Sequence, residues 1–315
     1  MNKTWQAADI PSLAGKRVLI TGANSGIGYH AALKLARKGA HVIFACRDQK
    51  RGEAAIALLH ADSPGANAEL LVLDLAALAS VRDAAAKEVA RRLPIHILIN
   101  NAGVMTPPKR LETADGFELQ FGTNVLGHFA LTALLMPALQ HAAADSPDRP
   151  RIVTIASIAH KRGQLNFDDL HSARSYSPWR AYQQSKLANL LVAFELDRRL
   201  RAANIPVISV AAHPGVANTN LFRTGDYHPV EKTIREIVGH VIGIAMNTDS
   251  EGALPTLYAA TAPTAQAGGY YGPKGFQEMR GHNVTSAQIA PQALNTETAA
   301  RLWRTCEDLT GIRFL

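Results

Sequence analysis

The stretch TGANSGIG, residues 21–28, lies between an apolar run and a run rich in alanine and leucine. Residues 16–20, Lys-Arg-Val-Leu-Ile, predict a short buried strand before it. Residues 29–38 predict a helix after it, which Gly39 ends. A strand, a glycine-rich turn and a helix start form a cradle for phosphate, because the first-turn backbone N–H groups are free and the helix dipole favours an anion there.

The three glycines of this stretch predict how a dinucleotide approaches the turn. Gly22 allows the tight turn, Gly26 lets the backbone approach the pyrophosphate, and Gly28 lets the helix lie close to the strand. The spacing G-x3-G-x-G differs from the commoner G-x-G-x-x-G, so the flanking strand and helix support much of the prediction. The predicted cofactor loop consists of Gly22, Asn24, Ser25, Gly26, Ile27 and Gly28.

The composition is that of a globular protein with a full core. Of the 315 residues, 47% are hydrophobic and 19% are charged. The formal net charge of +7 is compatible with nucleic acid or an anionic membrane as a partner. The basic residues, however, are scattered without interleaved aromatics, so they predict a solvated surface and no nucleic-acid partner. The basic pairs are Arg91-Arg92, Lys109-Arg110, Lys161-Arg162 and Arg198-Arg199.

Cysteine use and hydropathy bear on the compartment. The two cysteines, Cys46 and Cys306, predict no disulfide framework, so we expect a reducing, cytoplasmic environment. Residues 1–14 lack the continuous apolar core of a signal peptide. No stretch approaches the roughly 18 consecutive apolar residues of a membrane span, so we expect no span.

Strand and helix patterns alternate along the chain. Apolar runs predict strands at residues 16–20, 40–46, 68–73, 95–99, 151–157 and 205–212. Helical patterns occupy residues 29–38, 48–60, 78–93, 115–141 and 179–203. Nearly all-apolar strands that alternate with helices predict an α/β fold with a single, doubly wound parallel sheet of the Rossmann type and helices on both faces.

This architecture places binding sites at the carboxyl ends of its strands. We see no linker, repeat or low-complexity segment, so we expect one domain over residues 1–315. A helical pattern at 286–309 predicts a C-terminal tail that either covers the site or packs on a partner.

Tyr182 and Lys186 stand four residues apart in a predicted helix, and this spacing places both side chains on one helix face. Such pairs are common on solvated helices, so the pair alone indicates little. Ser157 changes the interpretation, because it ends the fifth predicted strand, where this architecture places its sites. The three residues are therefore candidates for one catalytic group.

Several motifs, in their order and spacing, resemble those of the short-chain dehydrogenase/reductases. They are TGANSGIG, Asn100-Asn101-Ala102-Gly103, Asn124, Ser157, the run Tyr182-Gln183-Gln184-Ser185-Lys186, and His213-Pro214-Gly215. The resemblance covers residues 16–271. Three segments further resemble the subgroup that contains retinol dehydrogenases and protochlorophyllide reductases, namely residues 45–47, 123–129 and 167–170.

The chemistry implied is hydride transfer between a nicotinamide and a carbonyl or alcohol, with Tyr182 as the general acid/base. Tyrosine is a poor acid at neutral pH because its pKa is about 10. A lysine charge about 4 Å away, at an effective dielectric of about 20, is worth about 4 kcal/mol, or about three pKa units. We therefore expect Lys186 to bring the pKa of Tyr182 to about 7, where acid–base catalysis is most effective.

Ser157 and Asn124 are expected to assist this reaction. Ser157 would donate a hydrogen bond to the substrate oxygen, as an oxyanion donor does. By resemblance, Lys186 also holds the nicotinamide ribose, and Asn124 fixes a water beside Lys186 that relays the proton. The alternative for Asn124 is a side chain that bonds backbone groups in a helix kink.

The resemblance also implies a set of cofactor contacts outside the glycine loop. Two residues match adenine contacts, three lie behind the adenosine ribose, and four lie at the nicotinamide and its amide. In that order they are Asp74, Leu75, Asn101, Ala102, Gly103, Pro214, Gly215, Val216 and Thr219.

Cofactor choice depends on the end of the second predicted strand. An NAD site needs a carboxylate there to accept from the ribose 2′-hydroxyl, but Cys46 occupies this position and Arg47 follows it. An arginine suits a 2′-phosphate, whereas Asp48 is well placed to cap the next helix. We therefore expect NADP(H) in preference to NAD(H).

Substrate specificity is expected in residues 164–178 and 218–249. The second segment has an apolar helical stripe, with Ile237 and Val241, that is either core or a lid over an apolar substrate. The histidines show no metal-ligand spacing, so no metal is expected. The expected partner is a small apolar carbonyl or alcohol, and the sequence leaves a homo-oligomer open.

Two other functions remain open at this point. The first is reduction of a carbon–carbon double bond, as in the protochlorophyllide reductases. The second is a non-catalytic NADP sensor that binds partners. The intact set of Ser157, Tyr182 and Lys186 argues against the sensor, because a sensor has no need of these side chains.

Overall fold

Eight strands pair into one sheet in the computed structural model of the protein, which describes residues 5–145, 148–216 and 247–315. In chain order the strands are β1 (Arg17–Thr21), β2 (His41–Cys46), β3 (Asn67–Val72), β4 (Ile97–Asn100), β5 (Arg151–Ile155), β6 (Ile208–Ala212), β7 (Tyr270–Pro273) and β8 (Val284–Ser286). Across the sheet they follow the order β3-β2-β1-β4-β5-β6-β7-β8. Strands β1 to β7 are parallel, and β8 is antiparallel to β7.

The central strands are apolar on both sides because helices cover both faces of the sheet. Along β1, Val18 and Ile20 pack into one core and Leu19 packs into the other. Val18 pairs with Val42 of β2 and with Ile97 of β4. The strand order reverses between β1 and β4, which opens a crevice at their carboxyl ends. The predicted Rossmann-type sheet is confirmed, with one correction, since β8 is not parallel.

Helices lie on both faces of this sheet. In chain order they are α1 (Gly26–Ala36), α2 (Gln49–Asp62), α3 (Leu78–Ala90), α4 (Leu119–Phe121), α5 (His128–Asp145), α6 (Pro178–Ala202), α7 (Asp249–Gly252), α8 (Leu254–Thr261) and α9 (Thr296–Thr310). Side chains of α3, α5, α6 and α9 fill one core. Side chains of α1, α2 and α8 fill the other.

The long helix predicted at 115–141 begins later and is interrupted. The residues before it form a turn in which Gly116 has a φ of +83°. Glu118 then caps α4, because its carboxylate accepts hydrogen bonds from the backbone N–H groups of Gln120 and Phe121. A π-helical segment, Gly122–Gly127, joins α4 to α5. Such π segments often occur at functional sites.

The C-terminal segment is not the continuous helix predicted at 286–309. Ser286 ends β8, and a 3₁₀ turn at Pro291–Leu294 precedes α9. Asn295 caps α9, since its side chain accepts a hydrogen bond of 2.8 Å from Thr298 N. Trp303 of α9 is fully buried, and its ring centroid lies 5.0 Å from that of Phe129. The tail therefore packs on the core of its own chain.

One helix, spanning Leu119–Ala144, is long and apolar enough to cross a membrane by length and composition. The expectation that the chain has no membrane span stays a prediction. Within the fold, 89% of its apolar window is buried, so its side chains meet core partners.

Candidate active site

A cleft of about 1260 Å³ lies at the carboxyl ends of the central strands. Most of the predicted site residues line it together. They are Gly22, Asn24, Ser25, Gly26, Ile27, Gly28, Asn101, Ala102, Gly103, Ser157, Tyr182, Lys186, Pro214, Gly215 and Val216. The cleft therefore joins the glycine loop, the candidate catalytic side chains and the turn at 213–216.

The glycine loop forms a cradle that fits a pyrophosphate. A Cβ on Gly28 would lie 2.4 Å from Gly22 O and 2.6 Å from Asn101 Nδ2, so only glycine fits there. The Asn101 side chain donates a 2.8 Å hydrogen bond to Thr21 O and fixes the turn. Ser25 makes no side-chain cap, so the first-turn N–H groups of α1 stay available to an anion.

Ser157, Tyr182 and Lys186 converge on one wall of the cleft. Ser157 follows β5 and caps a 3₁₀ turn, Ile158–Arg162, by accepting a 3.2 Å hydrogen bond from Ala159 N. A side-chain hydrogen bond joins Ser157 to Tyr182. Lys186 Nζ donates to Ile155 O at 2.9 Å and lies 5.8 Å from the centroid of the Tyr182 ring.

The pKa values in this group differ from the sequence-based expectation. Burial raises the pKa of Tyr182 to about 12, and the hydrogen bond with Ser157 opposes this rise. Burial also lowers the pKa of Lys186 to about 8. The expectation that Lys186 brings the pKa of Tyr182 to about 7 is therefore wrong for this structure, because the loss of solvation of the phenolate dominates. Tyr182 is a protonated phenol at neutral pH.

Asn124 lies behind the cleft wall, in the π-helical segment, and is fully buried. Its Oδ1 accepts a 2.7 Å hydrogen bond from Val104 N, and its Nδ2 donates to Val104 O and to Ser185 Oγ, both at 3.0 Å. These contacts match the alternative in which Asn124 bonds backbone groups in a kink. Its role in holding a water beside Lys186 stays a prediction.

His128 is a buried residue of this region that the sequence argument did not single out. The Asn124 carbonyl accepts from Nδ1 at 3.1 Å, so Nε2 accepts from the Thr21 hydroxyl at 2.8 Å. Burial lowers the pKa of His128 to about 4, which keeps the ring neutral. His128 thus ties the start of the glycine loop to the π-helical segment. In the sequence, His128 stood out only as one residue of the motif at 123–129.

Some predicted cofactor residues lie away from the described wall of the cleft. Arg47 is exposed at the end of β2, and Asp74 and Leu75 form a turn after β3, but none of the three lines it. Arg51, in the first turn of α2, lines the cleft instead. Asp48 caps that helix as predicted, with Arg51 N at 3.0 Å from its Oδ1. Thr219 lies outside the described residues.

The mouth of the cleft carries exposed apolar side chains. Trp179 is 52% exposed, Phe276 is 82% exposed and Met279 is 39% exposed. Phe276 and Met279 belong to the loop at 274–283, which the sequence argument missed because it is rich in glycine and polar residues. Residues 164–178, predicted to govern specificity, do not line the described wall, and residues 218–246 of the other predicted segment lie outside the described residues.

The other histidines near the cleft serve backbone contacts. His160 Nδ1 lies 2.7 Å from Ser157 O, and His213 Nδ1 accepts from Gly215 N at 3.1 Å. Within residues 5–145, 148–216 and 247–315, no group of three or more His, Cys, Asp or Glu side chains is arranged to hold a metal ion.

Comparison with known proteins identifies a family and several relatives that are similar to this chain. The family profile described as short chain dehydrogenase matches residues 16–226. Polyprenol dehydrogenase of Mus musculus is 41% identical over 303 residues, which cover 96% of this chain and 86% of that protein. Retinol dehydrogenase 13 of Homo sapiens is 39% identical over 303 residues, with the same shares of both chains.

One solved structure is similar to this chain in both sequence and fold. The crystal structure of an uncharacterised protein from Mycobacterium paratuberculosis is 40% identical, with a TM-score of 0.77. The match covers 99% of this chain and 100% of that one. The similarity therefore extends over nearly the whole length of the protein.

Proposed function

Since this chain belongs to the short-chain dehydrogenase family, we propose that it transfers a hydride between NADP(H) and the carbonyl or alcohol carbon of a lipophilic substrate. The retinol dehydrogenase-like relatives make it a hydride-transfer oxidoreductase. The observation that supports the finer proposal best is the convergence of Ser157, Tyr182 and Lys186 beside the glycine loop in one cleft.

Tyr182 is the proposed proton donor in the direction of reduction. The nicotinamide, when bound, supplies the hydride to the carbonyl carbon. The Tyr182 hydroxyl gives its proton to the carbonyl oxygen, and Ser157 donates a hydrogen bond to the same oxygen. Burial favours this direction, because it keeps the phenol protonated at neutral pH. The Lys186 ammonium then stabilises the phenolate until a proton returns from solvent.

NADP is the proposed cofactor on the basis of two cations that follow β2. Arg47 directly follows the strand and Arg51 lies on the cleft wall, and either guanidinium suits a 2′-phosphate. The carboxylate of Asp48 is already engaged with the Arg51 N–H in the helix cap, so it competes poorly for a ribose hydroxyl.

We expect NADPH to bind more tightly than NADH, and Arg51→Ala to remove most of the difference. Loss of a charge-assisted hydrogen bond is worth about 1.5–3 kcal/mol, so the Kd for NADPH should rise about 10- to 100-fold while the Kd for NADH stays constant. Arg47→Ala tests the second cation, and Lys50→Ala is the control from the same helix turn. Equal Kd values for NADPH and NADH in the unmutated protein would contradict the proposal.

The lipophilic substrate is proposed from the cleft mouth. Trp179, Phe276 and Met279 expose apolar surface there, where an apolar chain leaving the cleft would cover it. The names of the polyprenol and retinol dehydrogenases agree with such a substrate. A cytoplasmic location stays part of the proposal, since Cys46 and Cys306 are buried free thiols.

We expect NADPH oxidation with aldehydes to increase with the length of the alkyl chain. Each buried CH₂ is worth about 0.8 kcal/mol, so kcat/KM should rise about fourfold per added CH₂ over the part of the chain that the protein covers. The assay compares a series of straight-chain aldehydes and identifies the products. A kcat/KM that does not change with chain length would exclude the lipophilic substrate. A saturated carbonyl product from an unsaturated aldehyde would favour double-bond reduction. Tight NADPH binding without turnover would favour the sensor.

A further inference from the structure

Glu278 has a backbone conformation that is unusual for its residue type. Its φ is +59°, and the preceding Gln277 has a φ of +47°. Both values lie in the left-handed region, which favours glycine over residues with a Cβ. Non-glycine residues keep such a conformation only where surrounding contacts hold it, and they cluster at functional sites.

The contacts that hold Glu278 converge on its buried carboxylate. Oε2 accepts a 2.9 Å hydrogen bond from Lys161 Nζ, and Oε1 accepts a 2.6 Å bond from Gln288 N. His213 Nε2 lies 3.6 Å from Oε2. Because His213 Nδ1 accepts from Gly215 N, Nε2 carries the ring proton.

This carboxylate is ionised at neutral pH. Burial alone would raise the pKa of Glu278, but the contacts with His213 and Lys161 and the N–H of Gln288 hold it at about 2. Lys161 is 30% exposed at its side chain and lines the cleft, so the ion pair stands at the edge of the site.

The two partners of the carboxylate lie in the turns that follow the neighbouring strands β5 and β6. Lys161 lies in the 3₁₀ turn that begins after Ser157. His213 begins the turn at 213–216, and Val216 N donates a 2.8 Å hydrogen bond to Met279 O, next to Glu278. The turn at 213–216 packs closely against the loop at 274–283, since a Cβ on Gly215 would lie only 2.5 Å from Met279 O.

We infer that Glu278 is a positioning residue, whose carboxylate clamps the wall that bears Ser157 to the turn at 213–216 and so sets the space for the nicotinamide half of the cofactor. This inference rests on the proposed function. It differs from a simple loop anchor, because a clamp between these two turns acts on one half of the dinucleotide and leaves the other half unaffected.

Glu278→Gln tests the clamp, because it keeps the shape of the side chain and removes its charge. The measurements are the Kd of NADPH and the Kd of 2′,5′-ADP, which carries the adenosine half alone, followed by kcat and KM with an aldehyde that the protein reduces. We expect the Kd of NADPH to rise about tenfold and kcat to fall by a similar factor, the effect of losing one charge-assisted contact. The Kd of 2′,5′-ADP should stay constant.

Glu112→Gln is the matched control. Glu112 forms a 2.6 Å ion pair with Arg110 on the surface and does not line the cleft, so neither Kd should change. Lys161→Met removes the same ion pair by way of its cationic partner. It should reproduce the selective loss of NADPH affinity, and it serves as the test should Glu278→Gln fail to fold.

The outcomes separate the inference from the proposed function. Unchanged NADPH affinity and kcat in both variants, or an equal loss of affinity for NADPH and 2′,5′-ADP, would overturn the clamp. If the unmutated protein binds neither ligand, the proposed cofactor is wrong and the clamp with it.

Discussion

Tyr182→Phe is expected to lower turnover by about 10²–10⁴-fold, the usual contribution of a positioned general acid or base. The substitution keeps the ring and its packing and removes only the hydroxyl. Tyr182 is buried on the wall next to Ser157, and burial holds its pKa at about 12, so it is a proton donor at neutral pH. Without the hydroxyl, the oxygen of the substrate keeps the hydrogen bond from Ser157 but loses its proposed proton donor.

Cofactor affinity should change little in Tyr182→Phe, because the hydroxyl is a small part of that site. Single-turnover rates with a verified aldehyde and the Kd of NADPH are the two measurements. Tyr176→Phe is a control of the same type, since the Tyr176 hydroxyl donates to Pro107 O at 2.7 Å outside the cleft and should not matter for turnover. Near-normal turnover in folded Tyr182→Phe would falsify the mechanism and favour the sensor or double-bond reduction.

Lys186→Met is expected to lower turnover on the order of 10²–10³-fold, as the loss of a preorganised donor does. It should also raise the Kd of NADPH about tenfold, because the charge-assisted contact with the cofactor that the family resemblance implies for Lys186 would be lost. Lys186 therefore differs from Tyr182, whose loss should affect turnover alone. Methionine keeps most of the volume of the buried stem, so the packing of α6 is retained.

The pH dependence separates the two roles of Lys186. Burial lowers its pKa to about 8, so the ammonium is present at pH 7 and is lost as the pH rises through about 8. Removing this positive charge raises the pKa of Tyr182, because a nearby cation favours the phenolate. In alcohol oxidation, where Tyr182 must accept a proton, the limb on which the rate rises with pH should move to higher pH in Lys186→Met. A variant with unchanged pH limb and unchanged Kd for NADPH would show that Lys186 is only a packing residue.

The sequence predicted those features that depend on local pattern. The apolar runs predicted β1, β2 and β4 to within two residues, because a strand covered on both faces needs side chains that are apolar on both sides. The glycine loop at 21–28 could be predicted equally well, since its turn and helix start depend on neighbouring residues alone. The helical spacing placed Tyr182 and Lys186 on one face, and the strand end placed Ser157 beside them.

The features that the sequence did not predict depend on contacts between distant segments. Arg51 lines the cleft and Arg47 does not, because the cap at Asp48 and the packing of α2 set which side chain faces inward. The pKa of Tyr182 is high because burial removes water from the phenolate, an effect that a spacing of four residues does not reveal. Glu278 meets Lys161 and His213 across more than 60 residues of chain, and only the folded sheet brings them together.

The sequence by itself thus determined the sheet, the phosphate cradle and the three candidate catalytic side chains, because short-range pattern and chemistry specify them. The tertiary structure decided the protonation state of Tyr182, the cation that faces the cleft and the loop at 274–283 that closes its edge. The physical reason is that solvation and charge pairing are properties of the space around a side chain, and this space is filled by residues far away in the chain.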